Sequence, residues 1–367
     1  MVGNTLTAAK PDLRALTGLR GIAAWFVVFY HIRTGMSGYI PQAIMDVLAK
    51  GYLAVDFFFL LSGFVIWLSY SARFATKGTG YSLSFYWRRI ARIWPLHIFV
   101  LAVTAAFVLV LILTDRDSQS SYPLQQLPLH IFLLQNWGLT DQLTWNHPAW
   151  SISTEMAAYL IFPVLAVYAR WERFPTAVLL IFIAGLIGAL YFYFEQLGYN
   201  TLGEDIPRTG LFRCLLQFTV GTIICVIWQR WRNDWQKAAY ASLFGLGFLI
   251  LFLTDNLTET FAIPMAFASL LLAMAIWAEV RRNPLNNPVL HYFGEISYAT
   301  YLVHFMLFIA FKIIFVDDPS NISPIYIGLF VILTFAVSAA LYHWVEKPGQ
   351  RLFQQISLSK PKTLATK

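Results

Sequence analysis

The sequence is poor in charge, in cysteine and in long polar stretches. Only 12% of its 367 residues are Asp, Glu, Lys or Arg, whereas a soluble domain usually carries about 25%. Apolar residues make up 58% of the chain and aromatic residues 17%, and no polar block of the size of a soluble domain interrupts them. These features exclude an ordinary soluble protein and predict one membrane domain with many spans.

The positions of the cysteines exclude a disulfide within the chain, and the distribution of charge argues against a nucleic-acid-binding protein. Cys214 and Cys225 are eleven residues apart in one predicted helix, and so roughly 16 Å apart along its axis, too far for a disulfide. The net charge of +7 comes from basic residues that lie between apolar runs and form no separate basic segment. The charge therefore indicates orientation in a bilayer and not a nucleic-acid partner.

Apolar runs of about 18 to 22 residues are each long enough to cross a bilayer. Ten such runs lie near residues 21–40, 52–71, 94–113, 150–169, 175–195, 211–229, 239–254, 261–279, 296–316 and 324–344. The stretch 129–138 is too short to cross, and we expect a re-entrant or interfacial segment there. The predicted fold is all-α, a polytopic transmembrane helix bundle of about ten spans over residues 1–346, followed by a basic cytoplasmic tail at 347–367.

The distribution of Lys and Arg predicts the orientation of this bundle. An even number of spans places both termini on one side, and the segments on that side carry 20 of these residues, against 5 on the other side. By the positive-inside rule both termini are cytoplasmic. The polar N-terminus lacks the layout of a cleavable signal peptide, so we expect the first apolar run to be retained as a span.

The first span carries an arginine, Arg20, at its start and a histidine, His31, eleven residues later. Eleven helical residues make three turns plus roughly 20°, so the two side chains share a face and are about 16 Å apart along the axis. This spacing predicts an imidazole near the middle of the bilayer, in line with a cation at the cytoplasmic mouth. A histidine at that depth needs a structural hydrogen-bond partner or a functional cavity.

Three further titratable groups lie inside predicted spans. Asp56 is in the second span, Glu155 in the fourth and His304 in the ninth, where Ser297 and Tyr301 share its helical face. A histidine with one or two carboxylates can form a general base and the group that orients it. The same groups can equally form a proton relay in a transporter.

A cluster of arginines precedes the third span. The sequence F-Y-W-R-R-I-A-R contains Arg88, Arg89 and Arg92, the last two being neighbours on a helical turn. Such a cluster either anchors the span in the interface or binds phosphate groups, for which the planar donors of arginine are suited. We favour the phosphate site.

These stretches together resemble the acyltransferase-3 family of membrane-bound acyltransferases. The motifs that carry the resemblance are, in order, L-R-A-L-T-G-L-R-G-I-A-A-W-F-V-V-F-Y-H, G-Y-L-A-V-D-F-F-F-L-L-S-G-F, R-R-I-A-R, W-S-I-S-T-E, I-S-Y-A-T-Y-L-V-H and V-E-K-P-G-Q-R. Each motif is weak alone, but the six in this order cover most of the chain. One departure is Thr17, where many relatives have aspartate before the glycine, and we expect it to be tolerated.

The resemblance implies an acyl-CoA-dependent O-acyltransferase of the bacterial inner membrane, without a metal. The family transfers an acyl group, most often acetyl from cytoplasmic acetyl-CoA, to a hydroxyl of a sugar or glycan. The resemblance implies that His31 is the catalytic histidine and that Arg89 and Arg92 are the donor-binding pair. It also makes Arg20 a part of the first motif and Glu346 the acidic residue of the last motif. Many acceptors of the family lie on the outer side of the membrane.

On this basis we expect Arg20, Arg88, Arg89 and Arg92 to bind the acyl-CoA, and His31 to act as general base, oriented by Glu155 or Asp56. Further candidates for acceptor binding or support of the site are Trp150, Ser151, Tyr301, His304 and Glu346, with Ser62, Ser151 and Ser297 as hydroxyls for an oxyanion.

Several alternatives stay open at this point. The acceptor can be an exopolysaccharide, an O-antigen, a signalling oligosaccharide or a macrolide, and we favour an exopolysaccharide or oligosaccharide. Succinyl transfer, an acyl-histidine intermediate and a homo-oligomer are also open. From another class, a secondary transporter or flippase would use the buried His and carboxylates as a proton relay, although a relay does not need the arginine cluster. A purely structural subunit would leave these buried groups without a purpose.

Overall fold

The computed structural model describes residues 13–115, 120–232, 234–278 and 283–358, and every regular element in these ranges is helical. The long helices are α1 (Arg14–Ile32), α3 (Ala54–Lys77), α4 (Ser82–Leu113), α6 (Ala149–Tyr168), α7 (Thr176–Gln196), α8 (Ile206–Trp231), α9 (Trp235–Leu253), α10 (Glu259–Trp277), α12 (Ser297–Phe315) and α13 (Pro324–Leu341). The short helices are α2 (Gln42–Ala49), α5 (Leu127–Ile131), α11 (Pro288–Glu295) and α14 (Lys347–Leu358).

The long helices match the predicted spans. Nine continuous helical stretches of the described chain are long and apolar enough to cross a bilayer. One of them, Gln42–Leu113, contains both α3 and α4, so the described ranges hold ten long helices. The predicted all-α polytopic bundle is confirmed. The cytoplasmic location of the termini and the domain boundary at residue 346 stay predictions.

The helix that carries the arginine cluster begins earlier than predicted. The R-R-I-A-R motif lies inside α4, which begins at Ser82 and continues through Pro95, and not in a loop before the span. Trp87 of this helix donates a hydrogen bond to the carbonyl oxygen of Phe353 in α14 at 2.7 Å. The first residues of the predicted tail thus form a helix that packs on α4, and residues 359–367 lie outside the described residues.

Two glycines allow α3 and α8 to approach each other closely. Gly63 of α3 faces the carbonyl oxygen of Phe218, and Gly221 of α8 faces that of Leu60, so a Cβ atom at either position would collide. Small residues permit such contacts in membrane bundles, where packing and hydrogen bonds hold helices together. These two helices form the tightly packed centre of the fold.

A buried ion pair joins the same two helices. Arg213 of α8 and Asp56 of α3 are both 0% exposed, and the guanidinium Nε donates to Asp56 Oδ1 at 2.7 Å while Nη2 donates to Oδ2. Gln217 donates to the same carboxylate, and Arg213 Nη1 donates to the carbonyl oxygen of Leu202 at 2.7 Å. Asp56 therefore ties α3 to α8, in contrast to the expectation that it orients His31, because both of its oxygens are occupied.

We expect Arg213→Ala to lower the free energy of unfolding by roughly 3–5 kcal/mol, because it leaves the carboxylate of Asp56 buried and unpaired. Thermal unfolding in detergent, followed by the loss of monodisperse protein, measures the change. The control is Asp56→Leu combined with Arg213→Met, which removes both charges at similar volume and should recover most of the lost stability. A double variant as unstable as Arg213→Ala would contradict this account of the pair.

Candidate active site

Helix α1 contacts α12 through one polar side chain near its start and another near its end. Arg20 Nη2 donates to Ser297 Oγ at 3.1 Å, and His31 Nδ1 lies 3.1 Å from His304 Nε2. Both partners belong to α12, so the prediction that Arg20 and His31 share a helical face is confirmed. His31 lies in the last turn of α1, which ends at Ile32, and not near the middle of the helix.

The hydrogen bonds of the two histidines determine which ring nitrogen carries a proton. Nδ1 of His31 lies 3.0 Å from the carbonyl oxygen of Val27, and Nδ1 of His304 lies 3.1 Å from that of Thr300. A carbonyl oxygen only accepts, so both Nδ1 atoms are protonated, and the single Nδ1–H of His31 is shared between the carbonyl oxygen of Val27 and Nε2 of His304. Nε2 of His31 is then the unprotonated nitrogen, and it can accept a proton.

The group that orients His31 is thus a second histidine and a backbone carbonyl, not a carboxylate. Glu155, the other predicted carboxylate, accepts hydrogen bonds from the hydroxyls of Ser62 and Tyr159. Tyr159 in turn accepts from Arg89 Nη2 at 3.1 Å. Glu155, in the second turn of α6, therefore belongs to a hydrogen-bond network with Ser62, Tyr159 and Arg89. This network does not include His31.

A cavity of about 240 Å³ opens between α1, α3, α4, α6 and α12. Its lining combines apolar side chains with cations, hydroxyls and one carboxylate, that of Glu155. The cations are Arg20, Arg89 and Arg92, and the hydroxyls belong to Ser62, Ser151, Ser297, Tyr159, Tyr298 and Tyr301. The structure therefore gathers most of the predicted donor-binding and oxyanion residues around one space.

The arginines at this cavity are held by different partners. Arg89 lies over the ring of Tyr159 at 4.6 Å, and its buried Nε has no hydrogen-bond partner in the described chain. Arg92 pairs with Glu346, whose second carboxylate oxygen is likewise buried without a partner. Arg89 lines the cavity, whereas Glu346 does not and contacts Arg92 from behind the lining. Arg88 is exposed and does not line the cavity, so its predicted donor contact stays a prediction.

The carboxylate of Glu346 reaches Arg92 from a π-helical turn. This turn, Tyr342–Glu346, links α13 to α14, and the Glu346 side chain is 1% exposed. A π-turn accommodates one more residue than an α-helical turn, and such turns often occur at functional sites. The turn thus directs the last acidic motif residue into the bundle, where it contacts α4.

The cavity ends before it reaches the histidine pair. At that end Ser151 Oγ and Tyr301 Oη are 2.8 Å apart, and the ring centroid of Tyr301 is 6.1 Å from that of His304. Neither His31 nor His304 lines the cavity. Tyr301 is thus a lining residue of the cationic cavity whose ring also contacts that of His304, the partner of the candidate base.

Trp150, a candidate for acceptor binding or support of the site, packs inside the bundle. It is 7% exposed, its ring centroid lies 5.9 Å from that of Phe59, and the guanidinium of Arg213 lies over its ring at 5.5 Å. It lines a second, small cavity, together with residues of the segment 130–147. In the described ranges no group of three or more His, Cys, Asp or Glu side chains is placed to share a metal ion.

The irregular segment 132–148 adds site residues that the sequence reading missed. His147 stacks on Phe305 with 4.6 Å between ring centroids, and the Phe305 ring lies 5.3 Å from that of His31. Asn146 Nδ2 donates to the carbonyl oxygen of Leu302 in α12 at 2.8 Å. The segment has no helical or strand periodicity, and its only sequence signal is the dense polar and aromatic run D-Q-L-T-W-N-H-P.

Comparison with known proteins adds independent evidence. A family model described as "Acyltransferase domain" matches residues 13–343. The chain is 30% identical over 315 residues to Acyltransferase MdmB of Streptomyces mycarofaciens, covering 80% of this chain and 79% of that protein. It is 27% identical over 371 residues to O-acetyltransferase OatA of Staphylococcus aureus strain NCTC 8325, covering 92% of this chain and 57% of that protein.

A second Staphylococcus aureus relative, the putative O-acetyltransferase SACOL0978 of strain COL, is 24% identical over 365 residues. The match covers 92% of this chain and 57% of that protein. The chain thus spans little more than half the length of these two relatives. No solved structure matches it. The family model covers nearly the whole chain, and its match agrees with the long apolar helices and with bacterial relatives named as acyltransferases. The chain is therefore a multi-pass membrane protein that belongs to the acyltransferase-3 family.

Proposed function

We propose that this protein is an O-acetyltransferase of the bacterial inner membrane. It moves an acetyl group from cytoplasmic acetyl-CoA to a hydroxyl of a sugar in an exopolysaccharide or oligosaccharide. The observation that carries the proposal is the hydrogen bonding of His31, whose Nδ1 is held by Val27 and His304 so that Nε2 is available as a base. The names of the relatives, acyltransferase and O-acetyltransferase, support transfer of an acetyl group to oxygen.

The cationic cavity suits the acyl donor. Acyl-CoA has phosphate groups at one end and an uncharged pantetheine arm that leads to the thioester. Arg20, Arg89 and Arg92 offer planar donors to phosphate oxygens, and the apolar walls suit the arm. Because the cavity holds only about 240 Å³, the nucleotide end lies at its mouth. The excess of Lys and Arg on the side of the termini makes that side cytoplasmic.

The transfer step uses His31 as a general base. Nε2 takes the proton of the acceptor hydroxyl while its oxygen attacks the thioester carbonyl carbon. The tetrahedral intermediate then breaks its C–S bond, and the leaving CoA sulfur takes the proton from Nε2, which restores the neutral ring. His304 stabilises the imidazolium in between, because it accepts the hydrogen bond from Nδ1–H. Because His31 does not line the cavity, the bundle must open beside Tyr301 for the thioester to reach His31.

We expect His31→Ala to lower the rate of acetyl transfer by about 10²–10⁴-fold, the usual worth of a positioned general base, while binding of acetyl-CoA is retained. His304→Leu removes the acceptor for Nδ1–H and should lower kcat by about tenfold with little change in the KM for acetyl-CoA. His304→Gln keeps an acceptor oxygen and should recover most of that loss. Initial rates with radiolabelled acetyl-CoA and protein in nanodiscs measure each effect, and equal rates for the Leu and Gln variants would show that His304 has only a packing role.

We expect the cationic cavity to decide donor affinity. Arg92→Ala alone would leave Glu346 buried without its partner, so the test combines Arg89→Gln, Arg92→Gln and Glu346→Gln. This variant should bind radiolabelled acetyl-CoA at least about tenfold more weakly, since charge-assisted contacts to phosphate are lost.

Two single variants provide the comparison for that experiment. Arg88→Ala removes an exposed guanidinium next to the cavity, and we expect at most about a threefold weaker affinity, because exposed charges contribute little. Arg173→Ala removes another exposed arginine, in the segment that follows α6, and should change nothing. If Arg88→Ala lost donor affinity and the triple variant kept it, the donor would bind at the surface around Arg88 and not in the cavity.

A further inference from the structure

Helix α4 is longer than the hydrocarbon core of a bilayer. Its 32 residues extend over about 48 Å, whereas the core is about 30 Å thick. The apolar run that we predicted as a span begins at residue 94, and the turns of α4 before it carry Arg88, Arg89 and Arg92. These first turns of α4 therefore extend beyond the hydrocarbon, to the level of the lipid headgroups.

Helix α14 packs along this extending part of α4. Gly349 lies so close to α4 that a Cβ atom added to it would be 2.5 Å from the Cβ of Pro95. One turn later the ring of Phe353 stacks on that of Trp87, with 5.7 Å between centroids, and lies 6.0 Å from that of Trp94. α14 thus runs from Pro95 back toward the start of α4, at the same level as the arginines.

The rest of the surface of α14 is divided into an apolar and a basic strip. Leu352 and Ile356 are one turn apart and are 57% and 56% exposed. Lys347 and Arg351 are also one turn apart, and this pair is offset from Leu352 by about 100° around the helix. A short helix with an exposed apolar strip beside a basic one is typical of helices that lie in a membrane interface.

All charged residues of this end of the chain are basic. From residue 347 to residue 367 the sequence contains no Asp or Glu, and its basic residues are Lys347, Arg351, Lys360, Lys362 and Lys367. Within the described ranges, neither Lys347 nor Arg351 forms an ion pair with a carboxylate. These two cations on α14 are therefore available to anionic groups outside the chain.

The two strips together favour a lipid surface over other partners. A nucleic acid would pair with the cations but would leave Leu352 and Ile356 in water. A second copy of this chain would bring the same two cations to a symmetric contact, where they repel each other. A leaflet that contains anionic lipid offers acyl chains and negative headgroups side by side, and so it matches both strips.

We propose that α14 is a binding site for anionic phospholipid in the leaflet on the side of the termini. Leu352 and Ile356 insert between the acyl chains, and Lys347 and Arg351 pair with the negative headgroups. This inference goes beyond the proposed acetyl transfer and does not depend on it. Because α14 begins directly after Glu346, the partner of Arg92, the bound lipid borders the segment that contacts this arginine.

The test is hydrogen exchange of the α14 amides, measured by mass spectrometry on the full chain in nanodiscs. One set of nanodiscs contains phosphatidylcholine alone, and the other also contains phosphatidylglycerol, which is negatively charged. We expect exchange in residues 350–358 to be about tenfold slower with phosphatidylglycerol, because the bound headgroups hold the helix in place. A high concentration of NaCl should reduce the difference, since salt screens the attraction.

Two double variants with the same change of charge test the basic strip. Lys347→Gln with Arg351→Gln removes both cations of α14 and should abolish the difference between the two lipids. The control, Arg170→Gln with Arg173→Gln, removes two exposed arginines from the segment after α6 and should keep the difference.

A third double variant tests the apolar strip. Leu352→Gln with Ile356→Gln should speed exchange in α14 about tenfold in both lipids, because the helix then loses its contact with the acyl chains. Both side chains are more than half exposed, so the variant keeps the packing of α14 on α4.

Several results would overturn the lipid site. Equal exchange in the two lipids would do so, as would a difference that the variant without Lys347 and Arg351 retains. A difference lost equally in the control variant would show that the overall charge of the protein, and not α14, responds to the lipid. Protection that requires two copies of the chain in one nanodisc, with no effect of lipid, would assign the apolar strip to self-association. Acetyl transfer is not measured, so a failure of the proposed function leaves each of these results unaffected.

Discussion

The contact between α1 and α12 is the interaction on which the candidate site depends. It joins an arginine to a serine near one end of α1 and two imidazoles to each other near the other end. A polar side chain in an apolar bundle must find a partner, so these two bonds fix the register of the helices at once. A slide of one turn would break both bonds together. The same register places Tyr301 and Ser297 in the lining of the cavity, which His31 itself does not line.

The need for hydrogen-bond partners also explains why His31, the proposed base, has no carboxylate beside it. Asp56 is bonded to Arg213, Glu346 to Arg92, and Glu155 to two hydroxyls. Each carboxylate offsets a cation or satisfies hydroxyls elsewhere, so the histidine pair is left with a backbone carbonyl and another neutral ring. An imidazolium formed there is stabilised by dipoles and not by a full negative charge. In the proposed transfer, such a base would release its proton readily, which suits the return of that proton to the leaving sulfur.

The sequence predicted the helices well and the pairing of side chains poorly. Apolar runs of spanning length identify the long helices because the hydrocarbon core requires them, and the helical period places Arg20 and His31 on one face. Which residue meets His31 depends on a helix more than 270 positions away in the chain. No local pattern distinguishes Asp56, which is bonded to Arg213, from a carboxylate that serves a base. The irregular segment 132–148 carries no period, so its contacts with α12 could be located only in three dimensions.

The π-helical turn Tyr342–Glu346 has a consequence for the end of the chain. One residue more than an α-helical turn changes the phase of everything that follows by about 100°. Deleting a single residue here would let α13 run into α14 as one regular helix, at little cost to either. The carboxylate of Glu346 would then swing away from α4, and the aromatic edge of α14 that meets Trp87 would turn with it. The one extra residue in this turn thus keeps the last motif in helical phase with its contacts on α4.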